Sequence, residues 1–104
     1  MLPSGVDYMV FDFGVNAGVR RSATFLQTIL AKRDPSLKVD GAIGPLTIAA
    51  LAKASPRAIV DEFHEAKMVH YRSLPTWQTF GAGWTNRAND VLAQARATLE
   101  TAVA

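Results

Sequence analysis

Apolar residues in this chain recur at helical spacing rather than in the alternation of a strand. Over residues 6–18, reading VDYMVFDFGVNAG, Val6, Met9, Val10 and Phe13 fall at i, i+3, i+4 and i+7 on one face. Tyr8, Phe11 and Val15 take the other side, so little of the surface is polar. A helix that is apolar nearly all round has to be covered on most sides in water. The pattern therefore predicts a central helix, Val6–Gly18, wrapped by the others, with Asn16 breaking out between Gly14 and Gly18. This segment is too short, and too interrupted by Asp7 and Asp12, to insert in a membrane. Leu2-Pro3-Ser4-Gly5 reads as a lead-in, with Ser4 as N-cap and Asp7 three residues on.

Four more helices follow from the same periodicity. The second runs from Val19 to Lys32, with Phe25, Leu26, Ile29 and Leu30 inward and Arg20, Arg21, Gln27 and Lys32 outward. Asp34-Pro35-Ser36 ends it, because proline pushes the preceding residue out of the helical region. In Lys38–Pro45, Asp40-Gly41 forms a turn with glycine at positive φ, and Gly44-Pro45 opens a third helix packing Leu46, Ile48, Ala49 and Leu51. Ser55-Pro56 repeats the start signal. The fourth helix, to Ser73, aligns Ile59, Phe63, Ala66 and His70, with Val60, Lys67, Tyr71 and Leu74 beside them. A short segment, Leu74 to Phe80, leads through Gly81-Ala82-Gly83 into a last helix, Trp84 to Val103, whose inner face is Trp84, Ala88, Val91, Ala95 and Leu99. The expected class is all-α: one domain over residues 1–104, a compact bundle of about five helices around a buried central one.

Charge and composition narrow the function classes. A net charge of +2 on scattered Lys and Arg favours an anionic partner slightly and gives no footprint for nucleic acid. The absence of cysteine excludes disulfides and thiolate metal sites. The first five residues lack the basic and apolar regions of a signal peptide, so the chain is expected to be made in the cytoplasm. His64 and His70 are six apart and share a helix face poorly, so no metal and no cofactor is expected. Neither a nucleophile elbow nor a phosphate loop is present.

A lysozyme-type glycosidase needs a protonated carboxylic acid, usually with a second carboxylate across the cleft. Most carboxylates here fall at caps, turns or outward positions, where solvation accounts for them. Asp12 is the exception and the one weak catalytic candidate. Its plainer explanation is pairing with an arginine or a backbone N–H. Trp77, Phe80 and Trp84, clustered with Gly81 and Gly83, have two readings: caps on the core, or walls of a groove where sugar rings stack.

Four motifs taken together are informative. VFDFGVNAG, FLQTIL, DGAIGPLTIAAL and TFGAGWTNR occur in the order found in the C-terminal half of family 108 glycoside hydrolases. That family comprises phage and bacterial N-acetylmuramidases, some described as endolysins or secretion activators, and the likeness runs from Leu2 to about Ala95. LQTIL followed by DGAIGPLTIAAL also resembles the LQ…DG-x-x-G-x-x-T pattern of small peptidoglycan-binding modules. GVNAG resembles the stretch of phage lysozymes in which Asn or Gln before a glycine faces the cleft. The resemblance implies the second half of a lysozyme-like fold, a predicted peptidoglycan-binding domain, with Asn16 in a glycan cleft.

The family's catalytic glutamate sits in an N-terminal Glu-Gly-Gly-Tyr-type motif that this chain does not contain. The resemblance thus implies a part in cell wall degradation without a competent enzyme in this chain alone. The expected substrate-binding residues are Asn16, Trp77 and Trp84. The expected partners are peptidoglycan glycan strands, together with an N-terminal catalytic half or a second copy of the chain. Its expected place of action is the periplasmic or extracellular cell wall, after release or export. Two alternatives stand beside this: a non-catalytic helical module docking a phage or secretion partner, and an autonomous hydrolase using Asp12.

Overall fold

A computed structural model describes residues 4–103, with side-chain surroundings for residues 5–99. The described residues form five helices and no strand: α1 (Ser4–Ala17), α2 (Val19–Ala31), α3 (Pro45–Ala52), α4 (Pro56–Arg72) and α5 (Trp77–Val103). The expected lead-in at Leu2-Pro3 and the capping side chain of Ser4 lie outside the described residues.

Helix α1 packs against α5, α2 and α4, and α4 packs against α5 and α2, whereas α3 rests on α2. Val6, Met9 and Phe13 of α1 meet Leu26 and Leu30 of α2, Ile59, Val60 and Phe63 of α4, and Ala88, Val91 and Ala95 of α5. Aromatic edges lock the centre, with Phe13 edge-on to Phe63 at 5.7 Å between centroids. Gly5 is what allows α1 to approach α5, because a Cβ there would lie 2.6 Å from Leu99 Cγ. Ser55 caps α4 as its sequence position implies, accepting from the Ala58 N–H, with Pro56 in the first turn.

Four details differ from the periodicity reading. First, α1 is not wrapped. Its inner face is buried, but Phe11 and Val15 remain 69% and 67% exposed, because α2, α4 and α5 all gather on one side of it. Second, Gln27 points inward and is 1% exposed. It turns in because the loop beside α2 supplies partners for its whole amide. Nε2 donates to Asp40 Oδ1, the Ala42 carbonyl and Thr47 Oγ1, while Oε1 accepts from the N–H groups of Asp40 and Gly41.

Third, α3 is rotated so that Thr47, Ala50 and Leu51 are buried while Leu46 is exposed, since Thr47 has to reach Gln27. Gly41 takes φ +79°, as the Asp40-Gly41 turn requires. Fourth, α5 begins at Trp77, seven residues before the expected start, and runs straight through Gly81 and Gly83. Each mid-helix glycine costs about 1 kcal/mol in propensity, but the Trp77 indole lies directly over Gly81, where a Cβ would sit 2.8 Å from it. Packing outweighs propensity there.

Candidate functional site

A pocket of about 440 Å³ opens where α1, α2, α4 and α5 converge, beyond the end of the apolar core. Each helix continues its inner stripe into it with polar residues. Helix α1 contributes Asp12 and Asn16, α2 Arg21, α4 Lys67, His70 and Tyr71, and α5 Trp84, Arg87 and Ala88. Gly18, at φ +101°, makes this convergence possible by turning the chain sharply between α1 and α2.

Asp12 lies on the floor, 6% exposed. Its Oδ1 accepts from Arg87 Nη2 at 2.7 Å, and Oδ2 lies 3.9 Å from Lys67 Nζ. The carboxylate is thus paired across three helices, the compensation expected of a buried charge. Lys67 is fully buried, and its Nζ has no hydrogen-bond partner. Burial lowers the Lys67 pKa, and the nearby Asp12 charge opposes that shift.

His70 sits among Phe13, Phe25 and Tyr71, with centroids 5.6 Å from Phe13 and 5.7 Å from Phe25. Burial lowers its pKa and Arg21 adds to the effect, so the ring is neutral at physiological pH. A neutral Nε2 can accept from Arg21, whose Nη1 lies 3.5 Å away. Tyr71 is raised by burial, and the Asn16 side chain lies within hydrogen-bonding reach of its hydroxyl.

The indole of Trp84 forms one wall, 5.4 Å from Tyr71 and stacked on the half-exposed Phe80 at 5.8 Å. The structure therefore brings Asp12, Asn16 and Trp84 into one pocket. It does not bring Trp77 there. That side chain packs over Gly81, 6.3 Å from Trp84, and lines a separate shallow depression with Gln78 and Asn86.

Lys67, Tyr71, Arg21 and Arg87 line the pocket beyond the residues expected there from the sequence. The signal for Lys67 was present, since a lysine fell on the apolar line of α4. Arg87 closes the TFGAGWTNR motif, which marks the segment without giving the side chain a role, and Arg21 carried no signal, because an exposed arginine on a helix looks the same whether or not a pocket lies beneath it. Asp12 is the one carboxylate among the lining residues. Asp61 is held by Arg96 and Glu62 by Arg33, away from the pocket. Among the described residues no group of three or more His, Cys, Asp or Glu could hold a metal ion. The arrangement has the means to bind and orient an anionic or hydroxyl-rich ligand against an aromatic wall.

Comparison with known proteins shows the family. A family model described as "Predicted Peptidoglycan domain" matches residues 21–89. That span contains every pocket residue of α2 and α4, and Trp84, Arg87 and Ala88 of α5, but not Asp12 or Asn16. Among solved structures, SagA from Brucella abortus is similar, with 35% identity and a TM-score of 0.84 over 93% of this chain. The match takes in 53% of the SagA chain, so this chain spans about half its length. No curated protein sequence matches.

Proposed function

This chain belongs to the family of predicted peptidoglycan domains, and from that premise we propose that it is the peptidoglycan-binding, cleft-forming half of a cell-wall-degrading enzyme. The single observation that carries the reading is the pocket at the end of the core, where Asn16, Tyr71 and Trp84 present an amide, a hydroxyl and an aromatic wall together. Peptidoglycan glycan strands are the ligand. The order of the four sequence motifs supports a muramidase of glycoside hydrolase family 108 as the parent enzyme, with its general acid on a separate N-terminal half. Asp12 is not assigned that role, because its carboxylate is engaged by Arg87 and Lys67 and no second carboxylate faces it. The site of action is the cell wall, reached by export or release.

The test is co-sedimentation of the chain with purified sacculi. Asn16→Ala and Trp84→Ala are expected to leave it in the supernatant while keeping the helical spectrum. The chain alone is expected to clear no zone in a zymogram, and an added N-terminal half carrying the glutamate motif restores clearing. A chain that neither pellets nor restores activity refutes the reading.

One observation favours a second reading, a helical interaction module. A groove of about 340 Å³ is lined by Val10, Phe11, Val15, Val19 and Ile43, and Phe11, Val15 and Val19 are exposed. An exposed patch of this kind commonly marks a protein contact. Light scattering across concentration tests it, and a monomer at every concentration that captures no N-terminal half speaks against it.

A further inference from the structure

The charges lining the pocket are unbalanced: Arg21, Lys67 and Arg87 face the single carboxylate of Asp12. Their burial divides the work. Lys67 stands wholly behind Asp12 with no hydrogen bond of its own, a counter-ion fixed in the floor. Arg87 is the opposite case, with its side chain 61% exposed and engaging Asp12 through Nη2. A guanidinium carries five N–H donors in a planar fork, so that one contact leaves a donor edge for an incoming group. Arg21, also exposed, leans on the neutral ring of His70 and gives up none of its charge to a carboxylate there. The floor is therefore compensated while two guanidiniums remain at the open side.

A pocket built only for the hydroxyls of sugar rings has no use for this surplus. Resting on the reading of this pocket as a peptidoglycan site, we infer that the group it recognises is a carboxylate of peptidoglycan, clamped by Arg21 and Arg87 beside Trp84. Charge-assisted, forked contacts from arginine are the strong and orientation-specific way to hold such a group. Peptidoglycan offers carboxylates from two sources, the lactyl group of muramic acids that carry no stem peptide and the stem peptide itself. The shared chemistry is what the pocket reads.

Five probes separate the possibilities when titrated into the chain and followed by calorimetry: disaccharide-peptide fragments of sacculi, stem-free glycan with free lactyl carboxylates, each of these two with every carboxyl converted to an amide, and a neutral chitin oligosaccharide that carries no carboxylate. Amidation is expected to weaken binding about tenfold or more, the scale of one charge-assisted hydrogen bond. Arg21→Gln and Arg87→Gln are each expected to weaken the free-acid fragments by about tenfold and to leave the amidated ones unchanged. Binding retained by stem-free glycan assigns the lactyl carboxylate, and binding confined to peptide-bearing fragments assigns the stem. Because Arg87 also holds Asp12, melting curves accompany both variants, and Arg21→Gln alone decides if Arg87→Gln does not fold.

Equal binding of the free-acid and amidated forms of both the peptide-bearing fragments and the stem-free glycan overturns the inference, as does wild-type affinity in Arg21→Gln. If sacculi still pellet the chain in either case, the peptidoglycan reading stands without the carboxylate clamp. If no fragment binds although sacculi pellet the chain, the inference is overturned and the binding surface lies outside this pocket. If sacculi do not pellet it either, the proposed function falls with it.

Discussion

Replacing Gln27 with leucine tests what the LQ…DG-x-x-G-x-x-T pattern is for. Leucine keeps most of the volume and removes every hydrogen bond. The amide of Gln27 joins Asp40, Gly41, Ala42 and Thr47, and so ties the 38–45 loop and the start of α3 to α2. A hydrogen bond is worth a net of about 1 kcal/mol, and a buried polar atom left alone costs about 1–3 kcal/mol. Asp40 is exposed and Gly41 half-buried, so water takes over part of what they lose, while the Thr47 hydroxyl in its buried setting cannot be rehydrated. The expected loss is about 2–4 kcal/mol. For a domain of this size that lowers the melting temperature by about 10–25 °C. Thermal circular dichroism and urea titration measure it, with an unchanged m-value showing that the two end states are the same. A double-mutant cycle with Thr47→Val should show coupling above about 0.5 kcal/mol, because the two side chains share a bond. Below its melting point the leucine variant should still pellet with sacculi, since Gln27 does not line the pocket at the end of the core. A melting shift under about 3 °C would refute the structural role, and full folding with lost pelleting would make the loop part of the binding surface.

Three further outcomes follow from the same physical reasoning. Lys67→Met removes a buried ammonium that makes no hydrogen bond, and should leave stability within about 1 kcal/mol of wild type, whereas Asp12→Asn strands that ammonium and should cost about 3–5 kcal/mol; urea midpoints in the reverse order refute the pairing. In α5, Gly83→Ala enters open space and should gain about 0.5–1 kcal/mol, whereas Gly81→Ala drives a methyl into the Trp77 indole and should lose about 1 kcal/mol after the propensity gain; matching melting shifts for the two would contradict the packing. His64 and His70 are both lowered by burial from 6.5, so below that pH the unfolded chain binds more protons than the folded one. Stability should therefore be level above pH 7 and decline as pH falls through 6.5 toward 5, and His64→Gln should flatten the decline in urea midpoints; a rise over that window would show the sign to be wrong.

The helices were legible because each carries enough apolar residues at i, i+3 and i+4 to show its face without reference to the others. Leu26, Ile29 and Leu30 on α2, or Ala88, Val91 and Ala95 on α5, are buried where the spacing puts them. The misreadings share a physical cause, which is that the deciding partner is distant in sequence. Gln27 looks like a solvated residue until the loop thirteen residues on wraps over it. Gly81 looks like a break until Trp77 covers it. Phe11 and Val15 look like core residues, and nothing local says that the neighbouring helices all choose the other side of α1. The pocket was legible in part: Asp12, Asn16 and Trp84 sit in it, while its cations became visible only once four helices had been brought to one point.

Set on the helices, the pocket residues obey the same spacing as the core. Asp12 and Asn16 are i, i+4 on α1, Lys67 and Tyr71 are i, i+4 on α4, and Trp84, Arg87 and Ala88 are i, i+3, i+4 on α5. Each set continues the stripe that holds Met9 and Phe13, Ile59 and Phe63, or Val91 and Ala95 in the core. The site is therefore the next layer of the bundle, written with polar residues where apolar ones would have extended the core and closed the cavity. Two consequences follow. The floor charges are not equivalent: Asp12 cannot be removed alone without stranding Lys67, whereas Asp12 keeps Arg87 when Lys67 is removed. The geometry of the mouth also inherits the rigidity of the core, since Phe13 packs directly on His70, which in turn steadies Arg21. A cavity made at Phe13 should thus loosen the clamp as well as the fold, and Phe13→Leu should weaken binding of sacculus fragments more than an equally destabilising substitution at Leu51 on α3, a helix that contributes no residue to the pocket lining. Equal binding in two variants matched for stability would show that the core and the site are mechanically independent.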